Sequence, residues 1–204
     1  ADVAVGSGRG DALAAHRDVS EFLKDCTKRI GVVGDVHGEL QALKEVLRAL
    51  GFIDSCDYWS AREGTLVFTG DVGHGRHLQE VFDFIHRIAS QEHRLGGRIV
   101  WTLGNHDLYV DREGGQGGED SLGYRLWPKI REAALHPERH PGLVVQAAYF
   151  DHDKLFVHAG LLPNIVDIAL REQGARGAEA IASYVNQVFR HALVESERIR
   201  ARDL

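Results

Sequence analysis

The chain has 204 residues, 44% hydrophobic and 26% charged, with 23 Gly and 4 Pro, which excludes a disordered, collagen-like or low-complexity protein and fits about one domain. Lys plus Arg number 24 against 30 Asp plus Glu, a net charge of −6, so a protein that coats nucleic-acid phosphates with clustered basic residues is disfavoured. No run approaches the ~18 apolar residues of a membrane span, and neither nucleic acid nor membrane is expected as a partner.

In chain order, residues 1–10 read as a flexible lead-in, and Leu13, Val19, Phe22 and Leu23 form a loose helical stripe between Asp11 and Lys28. Arg29 to Gly34 is an apolar run of strand length. Leu40, Leu43, Val46, Leu47 and Leu50 then recur at helical spacing before Gly51. Thr65 to Gly70 is a second strand, Leu78 to Leu95 a second helix closed by Gly96-Gly97, and Arg98 to Gly104 a third strand. A glycine-rich loop from Glu113 to Glu119 precedes a helix expected over Tyr124 to Leu135. Leu143 to Phe150 and Leu155 to Val157 read as two strands joined by the polar turn Asp151-His152-Asp153-Lys154. From Asn164 onward the pattern is helical, interrupted at Gly174 to Gly177. Strands alternating with helices predict a layered α/β domain whose sheet is mixed because of the late hairpin.

The two cysteines, Cys26 and Cys56, form no CxxC, so neither a zinc knuckle nor a disulfide framework is expected. A reducing, cytoplasmic location is the expectation. A processed periplasmic or lumenal form is the alternative, because the chain begins Ala1-Asp2-Val3.

Four of the strands end in polar clusters: Gly34-Asp35-Val36-His37-Gly38, Gly70-Asp71, Gly104-Asn105-His106-Asp107 and His158-Ala159-Gly160. The aspartates and Asn105 of the first three are spaced by 36 and 34 residues, one strand-plus-helix unit each. In open α/β sheets ligands bind beyond the carboxyl ends of the strands, so the four clusters should converge. Their oxygen and imidazole donors, without thiolate, suit manganese, iron, zinc or magnesium. An aspartate shared by two such ions can hold them ~3.5–4 Å apart. Neither a serine triad nor a GxxxxGK[ST] phosphate loop is present.

In order and content the clusters resemble the calcineurin-like metallophosphoesterases, phosphoprotein phosphatase branch. Their pattern runs GDxHG, GDxxDRG, GNH[DE] and HGG or HAG; here it reads GDVHG, GDVGHGR, GNHD and HAG, over about residues 29 to 162. The flanking text LVFTGD, LGGRIVWTLGNHD and LFVHAGLLP is most similar to bacterial-type members, the Shewanella-like protein phosphatases and diadenosine tetraphosphatases. The resemblance implies an α/β sandwich with central mixed β-sheets flanked by helices. It also implies an N-terminal extension and helix over 1–28 and a metallophosphoesterase domain over 29–204, in which either the C-terminal strands are missing or another residue or water completes the second metal site.

The same resemblance implies a binuclear centre of two divalent ions, manganese first, with iron or zinc as alternatives. Asp35 and His37 would bind one ion, Asp71 both, and Asn105 and His158 the second. His106 would protonate the leaving oxygen, Asp107 would orient its neighbours, and Arg76 would bind substrate. The implied reaction is phosphomonoester hydrolysis on a phosphorylated protein or peptide by water activated at the metals. The alternatives are a dinucleoside polyphosphate hydrolase and a metal-bearing binding module without turnover.

Two departures stand out. His74 and Gly75 occupy the positions of the family's Asp and Arg, so Arg76 comes one residue late. The family's further metal-binding histidine has no counterpart after His158 except His191, which falls in a helical segment. His77 is expected at the rim, and His16, His86, His93, His136, His140 and His152 on polar surfaces. Trp101 is expected in the core, and Trp59 and Trp127 in core or cap packing.

Overall fold

Apolar runs only four or five residues long can be strands where both of their faces are covered. A computed structural model describes residues 29–72, 77–108, 122–174 and 177–200, and in it four such runs pair in parallel. They are β1 (Ile30–Val33), β2 (Thr65–Phe68), β3 (Arg98–Thr102) and β4 (Leu143–Gln146), in the spatial order β1-β2-β3-β4. Each strand pairs with the next without slippage: Ile30 lies opposite Thr65, Thr65 opposite Arg98, and Ile99 opposite Leu143.

Helices α1 (Leu40–Ala49), α2 (Leu78–Glu92), the short α3 (Asn105–Leu108) and α4 (Leu122–Leu135) occupy the crossovers. Alternation along the strands sorts the side chains. Leu66, Phe68, Ile99, Trp101, Leu143 and Val145 face one way, into the main core with Leu43 and Leu47 of α1, Ile85 and Ile88 of α2, and Ile130 of α4. The helices thus bury their apolar stripes on one face of the sheet. The other face carries a second, smaller core in which Val67, Val100 and Tyr149 are buried.

That second core marks a difference from the sequence reading. The run from Leu143 to Phe150 is two strands, since the chain leaves β4 at Gln146 and re-forms as β5 (Tyr149–Asp151). β5 pairs antiparallel with β6 (Lys154–Phe156) in a sheet of its own, while the central sheet is wholly parallel. The break has a specific anchor. Asn186, on the long α6 (Ala178–Arg200) that follows α5 (Pro163–Glu172), accepts hydrogen bonds from the amides of Ala147 and Ala148 at 2.9 Å and donates to the Ala148 carbonyl at 2.7 Å. A side-chain amide supplies the partners that a continuing ladder would have supplied.

The helices expected within the described residues are present, and the interruption near Gly174 separates α5 from α6. The N-terminal stripe and the glycine-rich loop lie outside the described residues. Among the described residues no helix is long and apolar enough to cross a membrane. Trp59, Trp101 and Trp127 are all buried. His86 and His140 correct their surface assignment: both are half-buried, with ring centroids 5.2 Å apart. Burial first, then the positive neighbours His140 and Lys129, hold the His86 imidazole below its usual range.

The end of α2 carries a charged side chain in an apolar place. Glu92 is fully buried, and neither carboxylate oxygen has a hydrogen-bond partner. Burial pushes its carboxyl from 4.5 up to about 7, offset only in part by the nearby Ile99 N–H dipole, whose hydrogen bond goes to the Gly142 carbonyl, and by the charge of Arg98. A carboxyl raised in the folded state stabilises the fold below its unfolded value, and that contribution is lost as pH rises through the folded one. Glu92→Gln removes the titration. Its stability advantage over wild type should therefore grow by about 2 kcal/mol between pH 5 and pH 8, as read by urea unfolding; a difference independent of pH would refute this.

Candidate metal centre

The carboxyl ends of β1, β2 and β3 turn sharply, and the turns bring their polar residues together. Asp35, His37 and Asp71 all have positive φ, at 47°, 47° and 54°. Side chains other than glycine adopt this region at a cost, and such strain concentrates where the surroundings enforce it for function. Backbone bonds do the enforcing here: the Asp35 amide donates to the Gly70 carbonyl at 3.2 Å, and the His37 amide to the Asp71 carbonyl at 2.9 Å. The loop after β1 is thereby fastened to the loop after β2.

The glycines of these motifs are dictated by close approach. A Cβ on Gly104 would lie 2.2 Å from Asp71 Oδ1, and one on Gly70 would lie 2.5 Å from His158 Nδ1. Gly70 also has φ of 99°. Glycine is thus required where the β2 and β3 loops press on the acidic and imidazole groups.

Asp71 sits at the middle of the cluster and is 4% exposed. Its Oδ1 accepts the His106 amide at 2.9 Å and lies 3.5 Å from His158 Nε2. Its Oδ2 faces the other way, 3.9 Å from His37 Nε2. Asp35, Asp71 and His158 offer ligand atoms that all lie within 4.8 Å of one another. Asn105 Oδ1 is 3.0 Å from His158 Nε2, and the rings of His37 and His106 meet edge to face at 5.2 Å. All six of these residues from the sequence reading therefore meet at one end of the sheet.

The donor chemistry shows whether a cation fits. His158 Nδ1 lies 2.8 Å from the Thr69 carbonyl, which can only accept, so the ring proton resides on Nδ1. In the neutral ring Nε2 then presents a lone pair toward the lone pairs of Asn105 Oδ1 and Asp71 Oδ1. Lone pairs of three side chains turned toward one point, with, among the described residues, only the His106 amide donating to one of them, suit a divalent cation. The Thr69 carbonyl sets the tautomer as outer partners of metal-binding histidines do. The residues present fit the metal.

Asp107 is placed differently. It is fully buried, and its Oδ2 accepts bonds from the amides of Gly104 and Asp71, at 2.8 and 3.0 Å, and from the Trp101 indole at 3.0 Å. Through this oxygen it braces the turns. The polar roles of Thr69 and Trp101 are not foreseen from sequence, because one acts through its carbonyl and the other reads as core in an apolar strand. The signal for Trp101 was available in principle, since a buried indole N–H requires a partner.

His74 and Arg76 lie outside the described residues. His77 is exposed and paired with Glu80 at 2.8 Å, and His191 is exposed on α6. Cavities of about 280 Å³ between α5 and α6, and of about 260 Å³ at the opposite end of the sheet, contain none of the clustered groups. Within the cluster, Asp35 and Asn105 are exposed and His37 is half-buried, while Asp71 is buried.

Comparison with known proteins agrees with this arrangement. The family model for calcineurin-like phosphoesterases matches residues 28–190. A symmetrical bis(5'-nucleosyl)-tetraphosphatase of Proteus mirabilis is 32% identical over 160 residues, 74% of this chain and 51% of that protein. Shewanella-like protein phosphatase 2 of Arabidopsis thaliana is 32% identical over 82 residues, 40% of this chain and 21% of that protein. The crystal structure of a cold-active protein-tyrosine phosphatase from a psychrophilic Shewanella species shares the fold, with a TM-score of 0.55 at 19% identity. That match covers 82% of this chain and 51% of the other. The chain spans about half the length of the bacterial relatives and less of the plant one.

The two motif glycines with and without neighbours give a direct test. Gly104→Ala should displace Asp71 and weaken manganese uptake at least about tenfold in calorimetric titration. Gly160→Ala, whose added carbon would meet nothing within 4 Å, should leave uptake unchanged. Equal behaviour of the two variants would contradict the packing argument.

Proposed function

The chain belongs to the calcineurin-like phosphoesterase family, and we propose that it is a metal-dependent phosphoester hydrolase acting on phosphorylated protein or peptide. The observation that carries this reading is the divergent carboxylate of Asp71, with Oδ1 toward His158 and Oδ2 toward His37. A carboxylate so placed can serve two cations at once.

In this reading Asp35 and His37 would hold one divalent ion, Asn105 and His158 would hold a second, and Asp71 would serve both. The ions, when bound, supply Lewis-acid charge that activates water and offsets charge on the phosphoryl oxygens. The oxygen and imidazole donors suit manganese, iron or zinc, and manganese is the first choice that the family resemblance implies. Thr69 keeps the His158 proton on Nδ1, so that Nε2 stays a lone-pair donor. His106, held through its amide by Asp71, delivers a proton to the departing oxygen as general acid. Arg76 receives the phosphoryl group, for which a guanidinium fork is suited. Asp107 orients Asp71 and the Asn105–His106 turn without touching substrate.

A second reading has specific support. The alignment to the Proteus mirabilis tetraphosphatase extends over 74% of this chain, against 40% for the plant protein phosphatase. Hydrolysis of a dinucleoside polyphosphate would use the same ligands and differ in what binds beside them.

The test begins with elemental analysis of the purified chain, followed by manganese-dependent phosphate release from phosphopeptides and hydrolysis of diadenosine tetraphosphate. Faster turnover of phosphopeptide supports the first reading, and faster turnover of the dinucleotide supports the second. Asp71→Asn should lower kcat/KM on the preferred substrate about a thousandfold, the scale of several kcal/mol of lost charge stabilisation. Bound metal without hydrolysis of either substrate, or an active Asp71→Asn variant, would overturn the hydrolase assignment.

A further inference from the structure

Trp101 has a polar connection that its setting in the core conceals. The side chain is fully buried in β3, beside Phe82 with ring centroids 6.3 Å apart, so it touches no substrate. Its indole nonetheless donates to Asp107 Oδ2 at 3.0 Å. The same oxygen accepts the Asp71 and Gly104 amides. Two of these donors are backbone groups that almost any sequence would present there. The indole is a side-chain donor, so this bond depends on the identity of residue 101.

A carboxylate withdrawn from water stays charged and in place only while hydrogen bonds replace its lost hydration. Asp107 in turn grips the backbone of Asp71, a residue held at a positive φ of 54° that needs outside restraint. Asp71 carries the carboxylate at the centre of the ligand cluster and accepts the His106 amide. A continuous line of contacts therefore runs from the apolar core to the metal ligands: Trp101, Asp107, then Asp71 and Gly104.

We propose that Trp101 is a positioning residue of the metal centre, setting the geometry of Asp71 through the indole-to-Asp107 bond. The inference rests on the metal-dependent reading given above and assigns to this chain an outer support for its central ligand. Outer partners of this kind alter metal affinity about 10- to 100-fold. A residue that only filled the core would alter stability and leave affinity alone.

The first experiment uses the unmutated full chain, stripped of metal and labelled with 15N, so that it does not depend on a variant folding. The Trp101 indole N–H resonance should shift on titration with diamagnetic zinc or magnesium. The Trp59 indole, which donates to the Arg62 carbonyl at 3.1 Å, should stay in place. The second experiment measures manganese affinity by calorimetry in Trp101→Phe, which also identifies the Trp101 resonance. Affinity should fall at least about tenfold. Ile130→Ala, which also truncates a fully buried core side chain, should keep wild-type affinity despite its lower melting temperature. A Trp101 resonance unmoved through metal saturation would overturn the proposal. So would unchanged affinity in Trp101→Phe, or an equal loss in Ile130→Ala. If the wild-type chain takes up no cation, it is the metal reading itself that fails, which separates that failure from this one.

Discussion

One buried oxygen, Asp107 Oδ2, joins the turn after β2 to the turn after β3 by accepting the amides of Asp71 and Gly104. Parallel strands end with backbone groups that the ladder no longer satisfies, and these turns are further strained by positive φ at Asp71. A shared acceptor offsets both problems. It satisfies amides at the sheet's end and opposes relaxation of the strained turn. The ligand cluster depends on this brace, because Asp71 would otherwise have no reason to hold its two carboxylate oxygens toward opposite sides.

The rest of the fold places and stiffens that arrangement. The register between β1, β2 and β3 is uniform, so their carboxyl ends terminate at one level and their turns can bond to each other. The helices cover one face of the sheet and the β5–β6 hairpin lies against the other. The hairpin then delivers His158 back across the sheet to the Thr69 carbonyl, 89 positions earlier in the chain. Asn186 secures the break that allows the hairpin to form. Rigid packing beneath the turns is what preorganises the ligands.

At the opposite end of the sheet the fold tolerates an unfavourable group. Glu92 is buried with neither oxygen hydrogen-bonded, and its raised pKa records that cost. The contrast with Asp107 is instructive. Two carboxylates of similar burial differ in their supply of N–H donors, so one is a structural brace and the other an electrostatic liability.

Much of this was legible in the residues. Apolar runs of strand length, helical spacing from Leu40 to Leu50 and from Leu78 onward, and polar clusters after four of the strands gave the α/β order and the set of polar residues that meet at one end of the sheet, Asp35, His37, Asp71, Asn105, His106 and His158. Periodicity and turn chemistry are local properties, and a parallel sheet carries its strand ends to one side whatever the helices contain. Other features required the folded chain. The split at Ala147–Ala148 depends on an amide from a distant helix, and the half-buried setting of His86 and His140 on the meeting of two elements. The proton position on His158 depends on a carbonyl that every residue possesses. The bond from Trp101 to Asp107 was hidden because composition reports an indole as apolar bulk, while the direction of its N–H is settled only when β3 and the following turn pack together.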